Sequence, residues 1–168
     1  GVRLATSGSG PTLSYTTGLT LWFKADALAL NDGDAVTTWY DSSGYGYDLS
    51  QPTAGAKPTY KTGILNGKPV VRFDGGDLLY RNSTALSLRA HSMFVVFREN
   101  TQVTSAGVFT LMSATNDYDS LDGFDYETSN NSSWFGAIGS TSGSPYSALV
   151  SGSGAAPWGV YSHVMATT

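Results

Sequence analysis

The chain has 168 residues, of which 13% are charged, and its formal net charge is −4. Lysine and arginine form no cluster, which argues against nucleic acid or an anionic membrane as a partner. The sequence lacks cysteine, so disulfides, thiol catalysis and thiolate metal sites are excluded. No apolar run approaches the roughly 18 residues that suggest a membrane-spanning helix. The length suits one domain with a sizeable core.

The first third of the chain predicts short extended segments separated by turns. Residues 1–18 are polar and predict a linker or an edge-strand lead-in. In residues 19–24 apolar and polar side chains alternate, which predicts a strand. Asp41 and Asp48 bracket a glycine-broken loop, and we expect both to hydrogen-bond its exposed amides. The remaining predicted elements here are a helical turn at 25–30, a short strand at 36–40 and an extended piece at 48–50.

Residues 58–80 contain three extended runs joined by two glycine turns. Asn66 and Gly67 tolerate positive φ, so this pair predicts a tight hairpin. The second turn, at residues 74–76, is looser. The three runs therefore predict an antiparallel meander with a half-buried central strand.

The second half of the chain continues in short strands with turn signals between them. Residues 92–97 (SMFVVF) are the most apolar run and predict a fully buried strand. No helix of three turns is predicted. The spacing indicates an all-β fold of the sandwich or barrel type. Further strands are predicted at 108–113, 124–127, 134–138, 146–150 and 159–167.

Four segments carry a resemblance to a known family. They are LTLWFKAD at 19–26, WYDSSGYGYD at 39–48, KPVVRFDGGDLLY at 68–80 and YSHVMAT at 161–167. In this order they resemble segments of the laminin-G-like, concanavalin A-like lectin and glucanase sandwich domains. The resemblance implies an antiparallel jelly-roll β-sandwich over residues 19–168. It also implies further C-terminal strands beyond this chain, so we expect open strand edges suited to oligomerisation or strand donation.

An acidic segment at residues 116–125 is a candidate metal site. It contains four carboxylates, Asp117, Asp119, Asp122 and Asp125. Closely spaced carboxylates repel one another unless a cation neutralises them, and hard oxygen ligands suit Ca²⁺. The resemblance supports this reading, because laminin-G-like sandwiches often hold one Ca²⁺ at a loop rim. A solvated acidic loop without metal is the alternative.

Aromatic residues in or beside predicted loops are candidate ligand contacts. Sugar rings stack their C–H faces on aromatic rings, while neighbouring Asp and Asn side chains accept hydroxyl hydrogen bonds. Tyr45, Tyr118 and Trp134 have such neighbours, so they are the predicted ligand-binding residues. The alternative is that these rings pack the ends of the sandwich.

Catalytic residues are not predicted. The sequence has two glutamates, Glu99 and Glu127, and lacks the paired-glutamate motif of sandwich glucanases. With two histidines and no Gly-x-Ser-x-Gly elbow, a serine-histidine-aspartate triad is not expected either.

The sequence and the resemblance together predict a non-catalytic recognition or adhesion module that acts outside the cell, at a cell surface or a particle surface. Glycan is the ligand class that the resemblance implies. One alternative is a structural packing module of a surface layer, filament, fibre or virus particle. Another is a fragment of a glycan-acting enzyme whose catalytic residues lie elsewhere.

Overall fold

The computed structural model describes residues 17–81, 91–98, 100, 106–111, 122–126, 134–137, 146–150 and 159–165, with side chains for 17–81, 92–98 and 100. The chain divides into two compact units, Gly1–Asn82 and Ser83–Thr168. Every pairing between the strands that the structure describes is antiparallel. The predicted all-β class is therefore confirmed. No helix in these described ranges has the length and apolarity needed to cross a membrane.

The first unit is built from short strands and two single 3₁₀ turns. Strand β1 pairs with β2, and β3 pairs with β4. The first 3₁₀ turn lies within the predicted helical turn at 25–30. The elements are the 3₁₀ turns Ala25–Ala27 and Ala54–Ala56, and the strands β1 (Thr38–Trp39), β2 (Leu49–Ser50), β3 (Thr59–Leu65) and β4 (Lys68–Arg72).

The hairpin predicted from Asn66 and Gly67 is confirmed. Leu65 pairs with Lys68 across a two-residue turn. Asn66 and Gly67 have φ values of 50° and 77°, and positive φ at both central positions matches the twist of paired strands. The third run of the predicted meander does not join β4. Tyr80 instead forms a bridge with Ser50, because its backbone N–H and C=O both bond there.

The predicted strand at residues 19–24 is wrong. Within it the structure shows one isolated bridge, between Phe23 and Asp41. A hydrogen bond and a turn of the chain explain this difference. The carboxylate of Asp41, rather than a strand carbonyl, accepts the Trp22 N–H, and the chain turns into the first 3₁₀ turn at Ala25.

The core of the first unit lies beneath the β3–β4 hairpin. Val36 is fully buried and Tyr60 and Leu28 are nearly so. The Val36 N–H donates to Pro58 at 2.7 Å, and the Tyr60 hydroxyl donates to the Leu28 carbonyl at 3.4 Å. Partly buried apolar side chains pack around these three residues; they are Leu30, Trp39, Val71 and Leu79. Trp39, which packs against this core, ends β1 two residues before the 41–48 loop.

The second unit contains two sheets among its described residues. One is a two-stranded sheet of β5 and β10, and the other is four-stranded with the order β6-β7-β8-β9. In the first sheet the register runs without a shift from Gly159 opposite Phe97 to Met165 opposite His91. The strands are β5 (His91–Phe97), β6 (Ala106–Leu111), β7 (Asp122–Tyr126), β8 (Trp134–Ala137), β9 (Tyr146–Val150) and β10 (Gly159–Met165).

Strand β5 is half-buried, whereas the apolar run at residues 92–97 predicted full burial. Phe94 is 70% exposed and Val96 is 55% exposed. Met93, Val95 and Phe97 alternate with them and are partly buried. The reason is the two-residue period of a strand, which sends successive side chains to opposite faces, and only one of these faces is partly covered. An apolar run cannot reveal by itself that one face stays open.

Candidate functional site

The loop at residues 41–48 is organised by the carboxylate of Asp41. Its Oδ1 accepts the backbone N–H of Trp22 at 3.0 Å and that of Ser43 at 2.9 Å. Its Oδ2 accepts the Ser43 hydroxyl at 2.6 Å and the Tyr47 N–H at 3.1 Å. Four donors thus converge on one side chain. The predicted role of Asp41 in binding the loop amides is confirmed.

Two further contacts complete this network. Asp48 Oδ1 accepts the Asp41 N–H at 2.8 Å, which confirms that Asp48 also bonds a backbone amide at this loop. Ser43 Oγ, which is itself bonded to Asp41, accepts the Tyr45 N–H at 3.3 Å. The backbone amides of Tyr45 and Tyr47 are therefore both tied to Asp41, one through Ser43 and one directly.

Two glycines give the loop its shape. Gly44 has a φ of 98° and Gly46 a φ of 71°, values that residues with a side chain rarely adopt. Nothing lies within 4 Å of a Cβ placed at either position. Glycine is therefore required here for its backbone conformation and not because space is short.

The loop presents two tyrosine rings and an arginine, which we call the tyrosine platform (Tyr45, Tyr47 and Arg81). The two rings stack with centroids 6.0 Å apart and planes 19° apart. Tyr45 is 65% exposed, and Tyr47 is partly buried. The guanidinium of Arg81 lies 5.3 Å from the centroid of the Tyr47 ring, and Arg81 Nη1 donates to the Gly46 carbonyl at 2.9 Å.

Arg81 reaches the loop from a distant part of the sequence. The bridge between Tyr80 and Ser50 fixes the backbone next to Arg81, with N–H···O distances of 3.1 and 2.8 Å. Sequence reasoning missed Arg81. Its partner Gly46 lies 35 positions away, and no local pattern connects two such positions. The one available signal was the position of Arg81 directly after the 68–80 segment.

The electrostatics of the site follow from the hydrogen bonds of Asp41. Burial raises the pKa of this carboxyl, but the bonds from Ser43, Trp22 and Tyr47 outweigh burial and hold the pKa below 3.8. Asp41 is therefore ionised at neutral pH and directs its charge at the loop amides. Within the described residues the ion pairs are Lys61 with Asp32, at 2.6 Å, and Lys68 with Asp26, at 3.6 Å. Neither pair involves Arg81.

The other predicted ligand-binding residues belong to the second unit. Trp134 is the first residue of β8 and pairs with Val150 of β9. Tyr118 lies outside the described residues. The shared role of Tyr45, Tyr118 and Trp134 therefore stays a prediction.

The predicted calcium ligands are divided in the same way. Asp122 and Asp125 lie in strand β7, whereas Asp117 and Asp119 lie outside the described residues. Within the described part of the chain, no three Asp, Glu, His or Cys residues are grouped to hold a metal ion. The Ca²⁺ site stays a prediction because half of its proposed ligands fall in undescribed positions.

The tyrosine platform combines an exposed aromatic face, phenol hydroxyls and one cationic side chain. Such a surface can stack on a flat apolar ring face and form hydrogen bonds with polar groups at that ring's edge. No protein-family model, curated protein or solved structure matches this chain. The chemistry of the platform is therefore the basis on which function is inferred.

Proposed function

We propose that this protein is a non-catalytic recognition module that acts outside the cell and binds a glycan on the tyrosine platform. The observation that carries the proposal is the exposed Tyr45 ring, stacked on Tyr47 and placed on a loop that Asp41 holds by hydrogen bonds. We further propose the jelly-roll sandwich as the arrangement of its strands. The antiparallel pairing throughout the described strands supports this fold, and the laminin-G-like resemblance motivates it.

A sugar suits this surface for two physical reasons. A pyranose ring has a C–H face that stacks on an aromatic ring and hydroxyls at its edge that form hydrogen bonds. The platform is also largely ordered before a ligand arrives, because the backbone amides of both tyrosines are already bonded. Pre-ordering reduces the conformational entropy that binding would otherwise cost. A modest contact area can therefore give measurable affinity.

The experiment is a screen of diverse soluble glycans followed by titration of the best ligand. Replacing Tyr45 with Ala should weaken the binding of that ligand about tenfold or less, since one aromatic stack contributes about 1 kcal/mol. Tyr40→Ala is the matched control, because Tyr40 is 60% exposed and forms no ring contact among the described residues. Its affinity should equal that of the wild type. Absence of binding at millimolar concentration across the screen would contradict the proposal.

A second candidate function is assembly, which the open face of β5 favours. Phe94 and Val96 are large apolar side chains that stand exposed on the same face of one strand. An exposed pair of large apolar side chains can pack on a second copy of itself about a two-fold axis. We propose a second copy of this chain as the occupant, in a packing role within a larger assembly.

Sedimentation at increasing protein concentration tests the assembly role. The wild type should associate as concentration rises, and the double variant Phe94→Ser and Val96→Thr should remain monomeric. Leu78→Ser in the first unit is the control, since Leu78 is 55% exposed and lies outside this face. A wild-type chain that stays monomeric throughout the concentration range contradicts self-association.

A further inference from the structure

Among the residues that the structure describes, the guanidinium of Arg81 donates one hydrogen bond, to the Gly46 carbonyl. It carries five N–H donors. Among the described residues, the Gly46 carbonyl is the acceptor it contacts, and no carboxylate there forms an ion pair with it. Arg81 is also exposed. We propose that these remaining donors make the tyrosine platform selective for sugars that carry a carboxylate, such as uronic or sialic acids. This inference rests on the proposed glycan function of the same site.

The position of the guanidinium is set before any ligand binds. Its contact with the Tyr47 ring and its bond to the Gly46 carbonyl restrict both the plane and one edge of the group. Arginine presents its donors in a rigid fork that matches the two oxygens of a carboxylate. Tyr45 and the Arg81 guanidinium both contact the Tyr47 ring, at 6.0 Å and 5.3 Å from its centroid, so a glycan that stacks on Tyr45 can extend past Tyr47 and bring an acidic substituent to the cation. The ring binds the sugar face and Arg81 binds its acidic substituent.

The neighbouring carboxylate of Asp41 does not cancel this charge by direct pairing. Each carboxylate oxygen of Asp41 accepts two hydrogen bonds, from donors in the loop and from the Trp22 N–H. These four bonds occupy the acceptor positions of the carboxylate. Arg81 instead bonds the carbonyl of Gly46, a neutral group. The cation is therefore held by the loop without being neutralised by it.

The net charge of the chain favours a ligand that carries few negative charges. The chain has a net charge of −4 and no cluster of Lys or Arg. A long polyanion would be repelled by the protein as a whole and would meet one platform cation rather than a basic stripe. A single carboxylate at the end or side of an otherwise neutral glycan fits these charges best.

The test compares sugars that differ in one charge. One pair is cellobiouronate and its methyl ester, and the other is sialyllactose and its methyl ester. In at least one pair the acidic member should bind about threefold to fivefold tighter, the size expected for an exposed ion pair. Arg81→Gln should bring the ratio of the two affinities to about one, and Arg81→Lys should leave an intermediate ratio because charge remains without the fork. Lys57→Gln, which removes a positive charge outside the platform, should leave the ratio unchanged.

The dependence on salt separates charge recognition from stacking. The acidic preference should shrink between about 0.01 M and about 1 M NaCl, where the screening length falls from about 30 Å to about 3 Å. Binding of both pairs without an acidic preference, or a preference that survives Arg81→Gln, overturns this inference and leaves the glycan function intact. No binding to any glycan in the screen or in these pairs overturns the function and the inference together.

Discussion

The 41–48 loop of the first unit and the β5–β10 strand pair of the second are ordered by different chemistry. In the loop, a side-chain carboxylate accepts the backbone amides, and four donors depend on Asp41. In the strand pair, seven consecutive residues of each strand face one another in a regular ladder. The ladder uses backbone groups that every residue type except proline carries in full.

Because of this difference, the loop is suited to ligand specificity, whereas the strand pair tolerates substitution of its side chains. A loop held by one carboxylate has a single defined shape. It presents its two tyrosine rings in a fixed geometry that a small ligand can recognise. A strand pair held by its backbone leaves the side chains free to vary. It can expose Phe94 and Val96 without losing its pairing. The first region suits recognition of a small ligand, and the second suits packing against a broad surface.

Loss of the Asp41 carboxylate should have the largest effect. Asp41→Ala leaves three backbone amides without their acceptor, and the Ser43 hydroxyl keeps only the Thr20 carbonyl, at 3.0 Å; each of the four lost hydrogen bonds costs about 1 kcal/mol or less. We expect the free energy of unfolding to fall by about 2–4 kcal/mol in urea titrations. Glycan affinity should fall as well, because the tyrosine amides lose their support.

Asp26→Ala is the control for Asp41→Ala. It removes an exposed carboxylate whose contact with Lys68 is 3.6 Å long, so its cost should stay below about 1 kcal/mol. Equal costs for the two variants would show that the loop does not depend on its side-chain acceptor. The contrast with the backbone-held strand pair would then be wrong.

The sequence predicted those features that are encoded over short spans. Asn66 and Gly67 alone predict the hairpin, because positive φ at two adjacent positions admits few residue types. Asp41 and Asp48 were also identifiable, since a carboxylate next to a glycine-broken loop has unpaired amides within reach. In both cases the partners that the sequence revealed lie within a few residues of each other, whereas the Trp22 N–H that Asp41 also accepts lies 19 positions away.

Features that depend on distant partners were not predictable in the same way. The pairing of Tyr80 with Ser50 spans 30 positions, and it removes the third run from the meander. The contact of Arg81 with Gly46 spans 35 positions, so the platform's cationic group was missed. The exposed Phe94 was missed for another reason. An apolar run reports the hydrophobicity of both faces but does not report which of them is covered.

The two loop glycines should give the next largest effect. Gly44→Ala places a side chain at a φ of 98°, which should cost about 1–2 kcal/mol, although nothing crowds the new Cβ. Gly55→Ala is matched to it, because Gly55 also has open space around its Cβ but no positive φ. Gly55→Ala should change stability by about 0.5 kcal/mol or less. If both variants unfold at the same urea concentration, the loop does not require the left-handed conformation.

The smallest expected effect is a difference in acid sensitivity between two carboxyls of the first unit. The pKa of Asp41 lies below its ordinary value of 3.8, since its hydrogen bonds outweigh the opposing effect of burial. Its stabilisation is present above pH 3.8 and is lost as the pH falls through the lower pKa of the folded state. Burial, together with the charge of Asp74, raises the pKa of Asp77 above 3.8, so the folded state gains stability from this group as the pH falls towards that value.

Substitution of either residue by Asn should therefore change the pH profile in a different window. Unfolding free energies measured by urea titration across the acid range provide the comparison. With Asp41→Asn the loss of stability below pH 3.8 should be shallower than in the wild type. With Asp77→Asn the gain on approaching pH 3.8 from above should disappear. Parallel profiles for the wild type and Asp41→Asn would mean that the Asp41 hydrogen bonds are no stronger in the folded chain than those water offers the unfolded one. The 41–48 loop would then owe its order, as β5 and β10 do, to backbone geometry.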